Sequence, residues 1–319
     1  MCGLTFITPP GVGRAMRCSK CSAPAVTYVR YNGSHLCRSH FLEYAERRVK
    51  KEVRSQLKLE GEAHIAVGAS GGKDSQTALF LLHRILACRR NVRLTAITVD
   101  EGIEGYRAQT VPKVQKLCDD LDVEHVIVTF DEVAQRDLDD MVRRTDESEA
   151  CTYCGVFRRR CLNLKAKELG VDHLALGHNL DDMAQSILMN FMRGDVERLA
   201  RLGPHERVQP GLVPRIQPLR TIPEKETFLY AMLSDLPFSD AECPYAVHAL
   251  RNEYRTIVDD MEYKHPGTRH SILGSYDRLR PLMRDGFPQV TLKECACGEP
   301  TLNERCMACE MLLRMRDNI

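Results

Sequence analysis

The hexapeptide Ser70-Gly71-Gly72-Lys73-Asp74-Ser75 constrains this chain more than any other stretch. It follows the apolar run His64-Ile65-Ala66-Val67-Gly68-Ala69 and precedes a helix-like segment from Gln76 to Cys88. Strand, glycine turn and helix, in that order, build an anion cradle. Paired glycines let backbone N–H groups approach an anion closely, because no Cβ stands in the way. Ser75 and the first helical turn add N–H donors without intrahelical partners, at the positive end of the helix dipole. The spacing is not Gly-x-x-x-x-Gly-Lys-Ser/Thr, so this is not a Walker loop.

The same pattern continues along the chain. Arg93 to Val99 reads as a second strand, ending at Asp100-Glu101-Gly102. Glu124 to Phe130 reads as a third and Asp172 to Leu176 as a fourth, with helical segments between them. Alternating strands and helices predict right-handed crossovers and an α/β fold with a doubly wound parallel sheet. Ligands on such sheets bind beyond the carboxyl ends of the strands. That places Ala69 to Ser75, Val99 to Gly102 and Gly177-His178-Asn179 on one rim. Leu180-Asp181-Asp182 then enters a helix carrying Ala184, Ile187, Leu188 and Phe191. Asp181 and Asp182 in a first turn compensate the helix dipole. Two carboxylates and an imidazole at a nucleotide site can also bind magnesium or move protons, and Asp182 is the first choice for that work.

Cysteine usage is the next constraint. The 319 residues hold fourteen cysteines and carry a formal net charge of +1. No apolar run reaches membrane-spanning length, and no secretory signal precedes the first cysteines. A cytoplasmic location is therefore expected, where clustered cysteines bind metal more often than they pair as disulfides. Cys18-x-x-Cys21 followed by Cys37-x-x-His40 offers four ligands in two close pairs, as tetrahedral Zn²⁺ prefers. Thr27 to Tyr31 with Asn32-Gly33 reads as a hairpin between the pairs. Near the other end, Cys295-x-Cys297-Gly298 and Cys306-x-x-Cys309 repeat the theme, with a tighter first chelate.

A third set has only three members. Cys151-Thr152-Tyr153-Cys154 opens a helix from Gly155 to Leu169, and Cys243 stands alone in Glu242-Cys243-Pro244-Tyr245. A helix N-terminus favours thiolate, and Arg158, Arg159 and Arg160 add positive charge. Three thiolates are one short of a closed zinc or cubane site, which leaves one metal position open to a substrate. A redox-active Cys-x-x-Cys pair, or a structural zinc with Cys161 as a spare ligand, would use the same residues. Cys88 and Cys118 fall within apolar helical patterns and read as core.

Charge is distributed locally. Phe41 to Leu59 reads as a solvated amphipathic linker helix, with Leu42, Ala45, Val49, Val53 and Leu57 at helical spacing. Arg193 to Lys225 is rich in Arg, Gly and Pro and includes Arg193, Arg198, Arg201, Arg207, Arg215 and Arg220. With net charge near zero, any phosphate-backbone surface must be a local one such as this. The expected division is a zinc module over 1–43, a linker helix over 44–61, a nucleotide-binding catalytic domain over 62–240, a helical extension carrying Cys243 over 241–290, and a second zinc module over 291–319.

The glycine turn resembles the PP-loop of ATP pyrophosphatases, which cleave ATP between the α- and β-phosphates. From Cys18 to Cys309 the chain resembles the archaeal and eukaryotic-type tRNA 2-thiouridine synthetases, the TtuA and cytosolic wobble-uridine thiolase branch of the TtcA superfamily. The order of motifs carries the likeness: zinc pair, Ser-Gly-Gly-Lys-Asp-Ser, Cys-x-x-Cys, Gly-His-Asn-Leu-Asp-Asp, lone Cys-Pro-Tyr, zinc pair. One departure is Cys295-x-Cys297, where the family has Cys-x-x-Cys. The resemblance implies an ATP site formed by Ala69, Ser70, Gly71, Gly72, Lys73, Asp74, Ser75, Val99, Asp100, Gly102, Gly177 and Asp182, with Mg²⁺ held in part by Asp74. It implies a [4Fe-4S] cluster on Cys151, Cys154 and Cys243, and a catalytic set of those cysteines with Asp74, Asp182 and Arg158. Two Zn²⁺ are implied, one on Cys18, Cys21, Cys37 and His40, the other on Cys295, Cys297, Cys306 and Cys309. The implied reaction adenylates the C2 carbonyl oxygen of a tRNA uridine and replaces it with sulfur, from a ubiquitin-like thiocarboxylate carrier or free sulfide. A homodimer is expected, with no membrane partner. The alternatives are a tRNA 2-thiocytidine synthetase, another PP-loop adenylating enzyme, or a non-catalytic RNA-binding scaffold. Related 2-thiocytidine enzymes lack the flanking zinc modules, nothing here resembles a glutaminase domain that would supply ammonia, and the intact glycine turn speaks against a scaffold.

Overall fold

The computed structural model describes residues 16–204, 210–248, 250–286 and 292–317. The chain opens with a hairpin, β1 (Thr27–Val29) and β2 (Ser34–Leu36), followed by α1 (Arg38–Gln56). The central region runs β3 (Ala63–Gly68), α2 (Lys73–Leu86), β4 (Val92–Asp100), α3 (Arg107–Leu121), β5 (Glu124–Thr129), α4 (Phe130–Ala134), α5 (Leu138–Arg143) and α6 (Ala150–Glu168). It continues with β6 (His173–Leu176), α7 (Leu180–Met192), α8 (Val196–Arg201), β7 (Arg215–Ile216) and α9 (Glu224–Leu233). After α10 (Arg251–Lys264) and α11 (Thr268–Gly286), a hairpin of β8 (Lys293–Glu294) and β9 (Pro300–Thr301) leads into α12 (Met307–Asp317). None of these helices is long and apolar enough to cross a membrane.

The five-stranded sheet has the order β5-β4-β3-β6-β7, with every pairing parallel. Helices cover both faces, which is why His64 to Val67 and Ala96 to Val99 are buried without alternation. The chain leaves β3 for β4 and β5, then returns through α6 to β6 on the other side of β3. The crevice between the ends of β3 and β6 is therefore the topological switch point, where such sheets bind ligands.

Three local readings change in the structure. The third strand stops at Thr129, because Thr129 and Glu132 form a reciprocal capping box that starts α4 at Phe130. Helix α6 begins at Ala150, because a 3₁₀ turn over Glu147–Glu149 feeds straight into it. Cys151 and Cys154 thus stand within the helix rather than ahead of it. Helix α1 is packed rather than merely solvated: Phe41, Ala45, Val49 and Val53 form a buried stripe, and the helix rests on α2 and α9. Its Arg48 is half-buried and pairs with Glu226 at 3.0 Å, while donating to the hydroxyls of Tyr31 and Tyr44 and the carbonyl of Thr221. Arg47, Lys50, Lys51 and Arg54 remain exposed on the other side.

Each terminal cysteine module plugs into one face of the sheet. Cys18, Val29, Leu36 and Cys37 share a core with α1, α2 and α9. Cys295, Cys306, Ala308, Met311 and Met315 share the opposite core with α4, α5 and α6. Helices α10 and α11 pack on α7, around Leu180, Met183, Leu273 and Tyr276.

Candidate functional site

The glycine turn is built by close approach. Gly71 has φ +86°, and a Cβ there would lie 2.6 Å from the carbonyl oxygen of Thr110. The Ser75 hydroxyl donates to the carbonyl of Gly72 and accepts from the N–H of Ser70, both at 3.0 Å, which closes the turn. No side chain caps α2 at Gly72, so its first-turn N–H groups stay available to an anion. A Cβ on Gly177 would sit 3.0 Å from backbone atoms of Asp74 and Ser75. Only glycine lets the loop after β6 touch the first turn of α2. Gly102, at φ +72°, meets Asp137 in the same manner, at 2.4 Å from its Cβ, and fits the turn after β4 against α5.

The carboxylates divide into distinct roles. Asp74 lies 3.1 Å from Lys73 Nζ and accepts from Asn179 Nδ2 at 3.2 Å. Burial, together with the nearby Asp182 charge, pushes its pKa up to about 6 despite Lys73. A carboxylate in that state favours any cation that approaches it. Lys73 also bonds Glu224 at 2.8 Å. Asp182 accepts from the N–H of Asn179, completing a capping box, and pairs with Arg251 at 3.1 Å. Asp181 points elsewhere: it holds Arg269 at 2.7 Å and accepts from the N–H of Glu224 at 2.8 Å, tying α7 to α9 and α11. Burial lowers the pKa of His178, keeping it neutral, and its buried Nδ1 has no protein hydrogen-bond partner. An orphaned polar atom beside a nucleotide-type turn marks a place for a ligand or water.

Two ligand tetrads converge, each with ligand atoms within 4.8 Å of one another: Cys18, Cys21, Cys37 and His40, and Cys295, Cys297, Cys306 and Cys309. Cys18 Sγ and Cys37 Sγ lie 3.4 and 3.3 Å from His40 Nδ1. At the other end, Cys295 and Cys309 are 3.8 Å apart and Cys297 and Cys306 are 3.6 Å apart. Gly298, at φ +81°, turns the backbone sharply enough for the shortened Cys295-x-Cys297 chelate to close.

The third set is more open. Cys154 is buried in the core below α6, Cys243 and Tyr245 pack against that core, and Cys151 Sγ lies 3.8 Å from the carbonyl of Tyr245. The three sulfurs share this corner without the mutual 4.8 Å approach of the tetrads. A single zinc needs that approach. A cubane does not, because each sulfur binds a different iron, and three soft donors around an open centre fit a cluster. Burial raises the Cys151 pKa and pushes Cys154 up to about 11. The helix start and Arg158 are therefore not sufficient to hold free thiolates here, and a bound metal would have to compensate the charge.

Arg158 is the cation at this corner. Its Nη2 donates to Cys154 Sγ at 3.1 Å and lies 2.8 Å from Oε1 of Glu101. The sequence places Glu101 and Asn179 on the rim without a role of their own, and it does not single out Arg107, which also touches the glycine turn, or Arg251. The basic stretch is less free than its composition implies. Arg220 is buried between Glu52 and Asp277, while Arg198 pairs with Asp195 and Arg201 with Glu197 at the surface. Arg207 lies outside the described residues.

The sheet and its glycine turn define a PP-loop protein, and residues 42–261 match the PP-loop domain model. Residues 17–42 match the N-terminal LIM domain of the 2-thiouridine synthetase TtuA. The chain is 40% identical over 315 residues to the tRNA 2-thiolation protein NcsA of Haloferax volcanii, covering 93% of this chain and 98% of the relative. It is 34% identical to the cytoplasmic tRNA 2-thiolation protein 1 of Drosophila melanogaster, over 92% and 86% of the two chains. The solved U34-tRNA thiolase NcsA from Methanococcus maripaludis, which carries a [4Fe-4S] cluster, superposes with a TM-score of 0.81 at 36% identity, over 94% and 96%. The chain belongs to the PP-loop family of tRNA 2-thiolation proteins.

Proposed function

We propose that this protein is an ATP-dependent tRNA-uridine 2-sulfurtransferase. The observation that carries the reading is one of placement. The β3–β6 switch point sets the glycine turn against Gly177 to Asp182, and the cysteine pair opens the helix that leads into β6. Uridine O2 is a poor leaving group until it is adenylated, after which AMP departs. N–H groups of Gly71 to Ser75 hold the phosphates, and the turns at Val99, Asp100 and Gly102 and at Gly177 border the nucleoside. Lys73 balances charge on the phosphates. Asp74, with Asp182 close by, would hold Mg²⁺, and the ion would supply charge neutralisation at the phosphate oxygens. Cys151, Cys154 and Cys243 would hold a [4Fe-4S] cluster, whose open position supplies Lewis-acid binding for sulfur. Arg158, beside Cys154, offers a positive charge toward the incoming sulfur.

The remaining parts follow from this role. The tetrads are zinc sites that brace the modules at 1–43 and 291–319, and the chain divides otherwise at 44–61, 62–240 and 241–290. The substrate is tRNA. Sulfur comes from a ubiquitin-like thiocarboxylate carrier or free sulfide, and the enzyme works in the cytoplasm as a homodimer. The test is anaerobic purification, metal and sulfide analysis, then mass spectrometry of nucleosides after incubation with tRNA, ATP and sulfide. ATP-dependent 2-thiouridine is expected, and its absence in iron-loaded protein overturns the reading.

Two zinc ions per chain are expected from elemental analysis. The modules have few buried residues apart from their ligands, so metal binding and local folding are coupled. Well-folded protein with less than about one zinc per chain would count against both sites.

A further inference from the structure

Glu101 is fully buried, and its carboxylate lies between two guanidinium groups. Arg107 donates to it twice, from Nε to Oε2 and from Nη2 to Oε1, each at 2.6 Å. Arg158 Nη2 lies 2.8 Å from the same Oε1. Both arginines reach further. Arg107 Nη1 donates to the carbonyl of Ser70, which opens the glycine turn, at 2.8 Å, and to Thr110 Oγ1 at 3.2 Å. Arg158 Nη2 donates to Cys154 Sγ at 3.1 Å. An unbroken line of contacts therefore joins the glycine turn to the cysteine corner through three charged side chains. Two cations share one carboxylate, which leaves one positive charge in surplus. Arg107 is gripped by both carboxylate oxygens and is buried, whereas the Arg158 side chain is 44% exposed. The surplus charge thus sits on the Arg158 side, against the sulfur.

We propose that Glu101 is a positioning residue, which fixes the Arg158 guanidinium against Cys154 and, through Arg107, ties that position to the nucleotide turn. The proposal rests on the reading of Cys154 as part of the sulfur site. Arg158 is long and partly exposed. Without a carboxylate behind it, its guanidinium is free to leave the corner, because a flexible cation is ordered only by what it bonds. Charge-assisted, geometrically fixed bonds of this kind also let a shift at one end be felt at the other. Nucleotide in the turn should then be registered at the cysteine corner.

The test uses full-length, anaerobically cluster-loaded protein carrying Glu101→Gln, which keeps the side-chain size and removes the charge. Iron content and KM for ATP are expected to stay near wild type, while the melting temperature falls because buried Arg107 loses its counter-charge. The kcat for tRNA thiolation should fall on the order of 100-fold, as for the loss of one member of a buried charge pair. Independently of turnover, a non-hydrolysable ATP analogue should change the electron paramagnetic resonance spectrum of the reduced cluster in wild type and not in the variant. Glu101→Asp keeps a negative charge between the two arginines but is one methylene too short to bond both. It should show the same lost nucleotide response, and it is the second arm if Glu101→Gln folds poorly. Wild-type kcat in the variants, an unchanged spectral response, or no response in wild type overturns the proposal. So does loss of fold in both variants, which would make Glu101 a fold-holding ion only. A wild-type protein that carries the cluster but makes no thiouridine would instead defeat the functional reading beneath it.

Discussion

Asp74→Ala is expected to abolish ATP-dependent thiolation while leaving the fold intact. Asp74 sits in the first turn of α2, against the phosphate cradle, and is the carboxylate that Asn179 and Lys73 aim into the rim. Removing it takes away the charge that would bind Mg²⁺, so O2 adenylation loses its electrostatic support. Pyrophosphate release should fall by about a thousand-fold or more, the scale for losing a preorganised transition-state contact. Lys73 keeps Glu224, and no core residue is disturbed. Asp74→Asn should be equally inactive yet more stable than wild type in the absence of ligand. The folded pKa of about 6 lies above the ordinary 3.8. The folded state therefore binds the extra proton between these values, and ionised Asp74 costs stability. That cost is full above about pH 6 and vanishes below the unfolded value, so the gain from Asn should be present at pH 7 and absent near pH 3. At about 1.4 kcal/mol per pH unit separating the two pKa values, the gain is at most about 3 kcal/mol. Turnover at the wild-type rate in either variant would remove Asp74 from the mechanism.

The cradle was readable from the chain because its chemistry is local. Gly71, Gly72, Lys73, Asp74 and Ser75 are contiguous, and the preceding strand is buried on both faces, so its apolar run needed no partner to be recognised. The two metal-ligand tetrads were readable for the same reason, since each contributes ligands in close pairs. What stayed hidden depends on distant partners. Glu101 looks like an ordinary turn residue after β4, and only the return of α6 brings Arg158 onto it. Arg220 reads as a cation in a basic stretch, yet Glu52 of α1 and Asp277 of α11 bury it. Asp181 and Asp182 are adjacent in sequence, but the helix turns one toward Arg269 and the other toward Arg251. The edge strand Arg215–Ile216 is too short to show any periodicity. Burial, likewise, reverses the sequence expectation for the helix-start thiols, since desolvation raises the pKa values of Cys151 and Cys154 where the dipole alone would lower them.

That reversal shapes the second large effect. Alanine at any one of Cys151, Cys154 or Cys243 should remove the visible absorbance of the cluster and abolish thiolation together, leaving both zinc sites filled. The tetrads lie on the two outer modules and share no ligand with the triad, so zinc content and thermal unfolding serve as internal controls. Three thiolates can hold a cubane and leave one position for a substrate. Cys161, two turns further along α6, is fully buried and bonds the carbonyl of Thr129 at 3.8 Å, Cys118 is buried on α3, and Cys88 is exposed past the end of α2. Because burial disfavours free thiolates at Cys151 and Cys154, cluster assembly must release protons, and loading should become easier as pH rises. An exposed iron without a fourth cysteine should also be lost in air. Anaerobic protein that holds zinc at the triad would sink this account. So would an iron-free preparation that thiolates tRNA at full rate.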